Sequence, residues 1–198
     1  MSYQTTANSN AFVLGSCRIS VPSSSGGYVN LGSARGVKLT EAWDSMEIET
    51  DNTPKIILGV KNQTMTVEGN LLELDFHKLS ALRGSQSSAG ATAGLDIYST
   101  TGSPTFTSGG KMSIHPQAVY LTHTASESTQ TIVTTVYYAS ITEGMQLPWP
   151  SDNAVETMEI PFKLKGVCQS TKTAGQQLYN IEDNRNLVYS TTSISTSI

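Results

Sequence analysis

The chain has 198 residues, of which 14% are charged and 37% hydrophobic, and the remainder is rich in Ser, Thr, Gly and Asn. It is long enough to bury a core without staples, and the polar, charge-poor mix fits β structure with polar outer faces or a surface that meets other copies of itself. A net charge of −4 argues against a basic nucleic-acid-binding face. Cys17 and Cys168, far apart and without a C-x-x-C pair, argue against a disulfide framework or a thiol redox motif. The first residues, M-S-Y-Q-T-T-A-N-S-N, have neither the basic start nor the apolar run of a signal peptide, so folding in cytoplasm is expected. No segment has the length of a transmembrane helix.

In chain order, residues 1–11 read as an N-terminal arm, and alternation begins with Cys17, Ile19 and Val21 against Ser16, Arg18 and Ser20. Pro22 to Gly27 forms a loop, and short strands follow near Tyr28–Leu31 and Val37–Leu39. Ala42–Thr50 and Lys55–Glu68 read as the arms of a long hairpin around Asp51, Asn52, Thr53 and Pro54. Pairing Glu49 with Lys55 places Met46, Ile48, Ile56, Leu58 and Val60 on one face. Trp43, Glu47, Glu49, Lys55, Ile57 and Lys61 then share the other, with unlike charges opposed. Asn62 and Gln63 are expected to bend the second arm; Asn62-Gln63-Thr64 is also a glycosylation sequon, without meaning in a cytoplasmic protein.

From Leu71 the period changes from two to that of a helix, predicted over about residues 71–83. Asn70 stands at the N-cap position, Glu73 completes a capping box and Gly84 supplies the stop. Leu72, Phe76, Leu79 and Leu82 form the core face, with His77 and Ser80 outward; Phe76→Ala is expected to cost about 3–5 kcal/mol. Beyond a polar stretch at 84–94, a weak strand pair is expected about Gly102-Ser103-Pro104, then strands at 111–124 and Thr131–Ile141. Val155–Cys168 alternates again, with Met158, Ile160, Phe162 and Leu164 on one face, and Pro161 marks an edge or a bulge. Residues 170–198 lose the periodicity and read as a C-terminal extension, leaving 12–169 as one domain.

No catalytic, cofactor-binding or metal-ligating set emerges. His77, His115 and His123 share no ligand spacing, and no nucleophile elbow, phosphate loop or dinucleotide fingerprint is present. Glu47, Glu49 and Asp51 cluster near the hairpin tip, where a solvated edge or the wall of a negative channel would use them.

Two segments resemble a known family in their order of features. They are T-V-E-G-N-L-L-E-L-D-F-H-K-L-S-A-L-R-G, and I-T-E-G-M-Q-L-P-W-P followed by I-P-F-K at Ile160, Pro161, Phe162 and Lys163. Together with the N-terminal strand and the long hairpin, they are similar to the tail tube (major tail) proteins of long-tailed bacteriophages. The resemblance runs through most of residues 12–167. It implies a mainly β fold: an antiparallel β-sandwich with one flanking helix and a protruding hairpin, and no enzymatic activity or cofactor. The subunits would form stacked, hexameric rings in the virion tail, assembled in the host cytoplasm. Partners would be copies of the chain itself, tape-measure and tail terminator proteins, and phage DNA passing without specific binding; no membrane is implied. Asp51, Asn52, Thr53 and Pro54 and the arms 1–11 and 170–198 would make inter-ring contacts. Glu47, Glu49 and Glu68 would line the lumen, where like charge keeps DNA from sticking.

Two other classes compete. Another virion β module, such as a tail terminator, decoration or receptor-binding protein, would share the composition but need no polymer-forming arms. A cytoplasmic enzyme or ligand-binding barrel would show a pocket of convergent titratable groups.

Overall fold

The computed structural model describes residues 17–22, 27–50, 53–83, 96–99, 105–108, 116–124, 131–144, 146–148 and 158–185. Strands β1 (Cys17–Pro22), β2 (Tyr28–Thr50), β3 (Thr53–Leu71), β6 (Gln117–Thr124), β7 (Thr131–Ile141), β8 (Ile160–Val167) and β9 (Tyr179–Asp183) make one antiparallel sheet. The order β6-β1-β2-β3-β8-β7 returns on itself, because β7 also pairs with β6. The two packed layers expected of a mainly β fold are therefore opposite walls of one closed sheet. Closure removes open edges from these walls. Strands β4 (Asp96–Ser99) and β5 (Thr105–Ser108) form a separate two-stranded sheet about the expected turn.

The alternating apolar residues fill the interior. Cys17, Ile19 and Val21 of β1, Met65 and Val67 of β3, Val119 and Leu121 of β6, and Ile160, Phe162 and Leu164 of β8 are all buried in one cluster. Their neighbours along each strand face outward, as period two requires. Pro161, the second residue of β8, lies opposite Asn70 near the end of the β3 pairing and outside the part of β8 that pairs with β7, so its missing N–H is tolerated. Gly166 pairs with Ala139 of the neighbouring β7, and a Cβ there would sit 2.5 Å from Val136 Cγ1. Only glycine leaves room there for the Val136 side chain of the adjacent strand.

The helix α1 is shorter than the pattern predicts, spanning Phe76–Leu82. Asn70 does not cap it. Asn70 and Leu71 pair with Arg35 and Ala34 on one side and with Pro161 and Ile160 on the other. Asn70 Nδ2 also donates to Glu159 Oε2 at 3.0 Å, and Leu72 N–H to the Ser33 carbonyl at 3.0 Å. The backbone that would begin the helix is held by strands on both sides, so the tertiary pairing overrides the local capping signal. Asp75 caps instead, its Oδ1 accepting from the Lys78 N–H at 3.4 Å. Glu73 pairs with Lys78 Nζ at 3.0 Å, and its carboxylate lies against Gly32, which has φ +101°.

Leu79 and Leu82 join the core, Phe76 is half-buried against the Phe106 ring at 5.4 Å, and Leu72 is half-buried ahead of the helix. Ser80, expected outward, is buried beside Leu79. The Gln117 side chain donates to the carbonyls of Ala81 and Leu82 at 2.7 and 3.1 Å, closing the helix end. Gly84 and the His77 side chain lie outside the described residues.

The segment after residue 170, expected as an extension, supplies β9, which pairs with β7 along Ile132–Val136. Leu178 just before it is buried. Residues 1–11, and those beyond 185, lie outside the described residues.

A candidate assembly surface

Strand β1 pairs with β2 only as far as Ala34, and β8 pairs with β3 only between Thr64 and Leu71. Beyond these limits β2 and β3 continue with no partner but each other among the described residues. The ribbon from Ala42 to Thr64 is about 30 Å long at the usual strand rise. Near the tip Glu47 and Ile48 keep the expected register, opposite Ile57 and Ile56, and Lys55 Nζ lies 3.7 and 3.8 Å from Glu47 and Glu49; at the tip itself the register shifts by one, with Thr50 opposite Thr53.

Toward the base the register changes twice. Met46 pairs with Gly59 while Glu47 pairs with Ile57, so one extra residue of β3 is accommodated there. This shift moves Val60 opposite Ser45 and Lys61 opposite Asp44. The expected face assignment is corrected for these two residues: Val60 shares a face with Trp43, Glu47 and Ile57, and Lys61 one with Asp44, Met46 and Ile48. The alternation along β3 is broken by the inserted residue, and sequence periodicity cannot register it. A second extra residue lies at Asn62 and Gln63, which oppose Trp43 alone.

The ribbon is apolar on both faces. Trp43, Met46, Ile48, Ile56, Ile57, Leu58 and Val60 are exposed by 41–67%, seven of the twelve large exposed hydrophobic residues among those described. Such clustering, on an element with two open edges, is the signature of a surface made to be covered. An isolated two-stranded ribbon is itself marginal in water, so contacts beyond the chain would also stabilise it.

The residues expected to act at this surface fall in three places. Thr53 and Pro54 begin β3, while Asp51 and Asn52 lie outside the described residues. Glu47 and Glu49 lie near the tip. Glu68 lies eleven residues beyond Ile57, the partner of Glu47, roughly 35 Å further along β3. There it meets Lys38 at 3.4 Å and pairs in register with Lys163. The three carboxylates do not converge, and each has a lysine beside it.

Elsewhere, a cleft of about 300 Å3 lies between the end of α1 and β8, lined by Glu68, Asn70, Arg83, Glu143 and Lys163. Lys163 is bound by Glu143 at 2.9 Å, and that hydrogen bond raises its pKa. No group of three His, Cys, Asp or Glu side chains converges as metal ligands among the described residues. Cys17 is buried and Cys168 exposed, and burial pushes the Cys17 thiol up to about 12, which leaves it protonated and inert. The described residues include no helix long and apolar enough to cross a membrane.

The structure thus defines a closed antiparallel barrel carrying a two-faced apolar ribbon. No protein-family model matches the chain, and no curated protein does. Among solved structures it is similar to the anti-feeding prophage cap (AFP tube terminating cap), at 10% identity over 92% of this chain and 95% of that one, with a TM-score of 0.45. It is also similar to a chain of the PVC sheath-tube complex of an extracellular contractile injection system in the extended state, at 10% identity over 84% and 88%, TM-score 0.46. A third is a chain of the PVC sheath/tube terminator in the extended state, at 12% identity over 76% and 88%, TM-score 0.44.

Proposed function

We propose that this chain is a non-enzymatic structural subunit of a phage-tail-like tube, assembling with copies of itself into stacked rings through the β2–β3 ribbon. The observation that carries this reading is the protruding ribbon with seven exposed apolar side chains on its two faces. The sequence resemblance to tail tube proteins supports the same reading and extends it to hexameric rings, to tape-measure and terminator partners, and to passing DNA. The arms expected at 1–11 and 170–198 are proposed as further inter-ring contacts, apart from the stretch of the second that pairs with β7 as β9.

Negative-stain microscopy and sedimentation of the purified protein, dilute and concentrated, test this. Wild-type protein is expected to form rings or hollow tubes as concentration rises. A variant carrying Ile48→Lys and Ile57→Lys, one on each face, is expected to keep its melting transition and remain monomeric. Tubes formed equally well by the variant would remove the ribbon from the interface. A wild-type protein that stays monomeric throughout, with or without a preformed tube to extend, would overturn the assembly reading. Single closed rings that never stack would instead assign the chain to the end of a tube, the place named for two of the similar structures.

A further inference from the structure

The ribbon leaves the barrel at one defined joint. The last residue of β3 held by β8 is Thr64, opposite Val167. Just beyond it, the Gln63 carbonyl accepts a hydrogen bond from the Cys168 thiol at 3.7 Å, so the chain is gripped by the barrel up to residue 63. Asn62 is the first residue free of it. There the ladder with β2 is interrupted, with Asn62 and Gln63 together opposing Trp43. Asn62 has φ 54°, the only left-handed non-glycine residue among those described.

Glycine would adopt that backbone without strain, as it does at Gly36 in the neighbouring bulge of β2. Asparagine is the side chain that tolerates the conformation and brings a donor with it. Its Nδ2 donates to Asp44 Oδ2 across the ribbon at 2.8 Å, a short bond to a charged acceptor. The bent residue on β3 is thereby tied to the strand opposite, on the ribbon side of the bulge. A bulge increases local twist and re-aims the strand that carries it. Tying it across the ladder fixes the angle through which the remaining ribbon swings.

We infer that Asn62 and Asp44 are a positioning pair that sets the angle at which the ribbon projects, so that its apolar faces meet neighbouring copies in register. The inference rests on the assembly reading above. Small rotations at the joint are magnified over a ribbon about 30 Å long. The pair can therefore control whether the faces dock through the angle of the ribbon alone.

The test is a swap. Asn62→Asp removes the donor and opposes two carboxylates. Asp44→Asn combined with Asn62→Asp restores a donor–acceptor pair of reversed direction, and aspartate also tolerates the left-handed backbone. Asn62→Gly keeps the backbone and removes only the tie. Each variant is measured for thermal melting and for the concentration at half-assembly by light scattering. The emission of Trp43 beside the joint is read in a Trp149→Phe background.

All variants are expected to melt near wild type, since both side chains are exposed. Asn62→Asp and Asn62→Gly are expected to raise the half-assembly concentration by about tenfold or more, because a ribbon no longer held at one angle must be ordered as it docks. They should also shift the Trp43 emission, and the double swap should restore both readouts. Assembly of Asn62→Asp at the wild-type concentration, or a double swap no better than Asn62→Asp alone, would overturn the inference. If wild type does not assemble, the functional reading fails by itself. The positioning role is then judged on the Trp43 signal, and an emission unchanged by Asn62→Asp and Asn62→Gly overturns it.

Discussion

His123 lies in β6 with Cys17 of β1 on one side and Ile132 of β7 on the other, and burial there lowers its pKa from 6.5. The folded protein favours the neutral imidazole, whereas the unfolded chain takes up a proton at the ordinary value. Its contribution to stability is therefore complete above pH 6.5 and is lost as pH falls from there toward the lowered folded value. Urea midpoints at pH 7.5 and 5.5 should show wild type losing more stability than His123→Gln over that interval. Equal losses would place the titration elsewhere. At the same scale, the sequence shows His123 at the flank of an expected strand but not that two other strands lie beside it.

At the scale of the element, the helix offers the sharpest contrast. Leu82 is 2% exposed within the core, so Leu82→Ala is expected to cost about 2–5 kcal/mol. Phe76 is only half-buried, packed on Phe106, and Phe76→Ala is expected to cost about 2 kcal/mol, below the full value for a core aromatic. Denaturant midpoints of the two variants check the order. A larger loss at Phe76 would mean that the buried stripe is rotated from Leu79 and Leu82. The stripe itself was legible, since Leu79 and Leu82 recur at helical spacing. The helix start was not, because the capping box at Asn70 and Glu73 competes with strand pairing from β2 and β8, and pairing on both sides wins. The ribbon divides the same way: the register at Glu47 and Ile48 follows from opposing Glu49 to Lys55, while the tip and the base are displaced by extra residues near Lys55, Leu58 and Asn62.

For the whole molecule, closure of the sheet is the decisive event, and Gly166 is where it can be tested. A methyl group there meets Val136 at 2.5 Å, so Gly166→Ala must push β8 from β7 or force Val136 from its rotamer. A loss of about 1–3 kcal/mol is expected, as for other overpacked sites, read as a lower melting temperature. A companion Val136→Ala change should recover part of it. No loss in Gly166→Ala would show that Val136 does not fill the space beside Gly166.

What the sequence determined by itself is everything carried by local period: strand-forming alternation at Cys17–Val21, Met65–Val67 and Ile160–Leu164, the apolar stripe of the helix, and a long hairpin. What only the tertiary structure decided is which strands meet. It closed the sheet through β6 and β7, drew β9 out of a segment without periodicity, delayed the helix to Phe76, and moved Val60 and Lys61 across the ribbon. Side-chain alternation is written residue by residue, so it can be read from one strand. Pairing, bulges and closure are settled by backbone hydrogen bonds between segments far apart in the chain, and these groups are the same in every residue but proline.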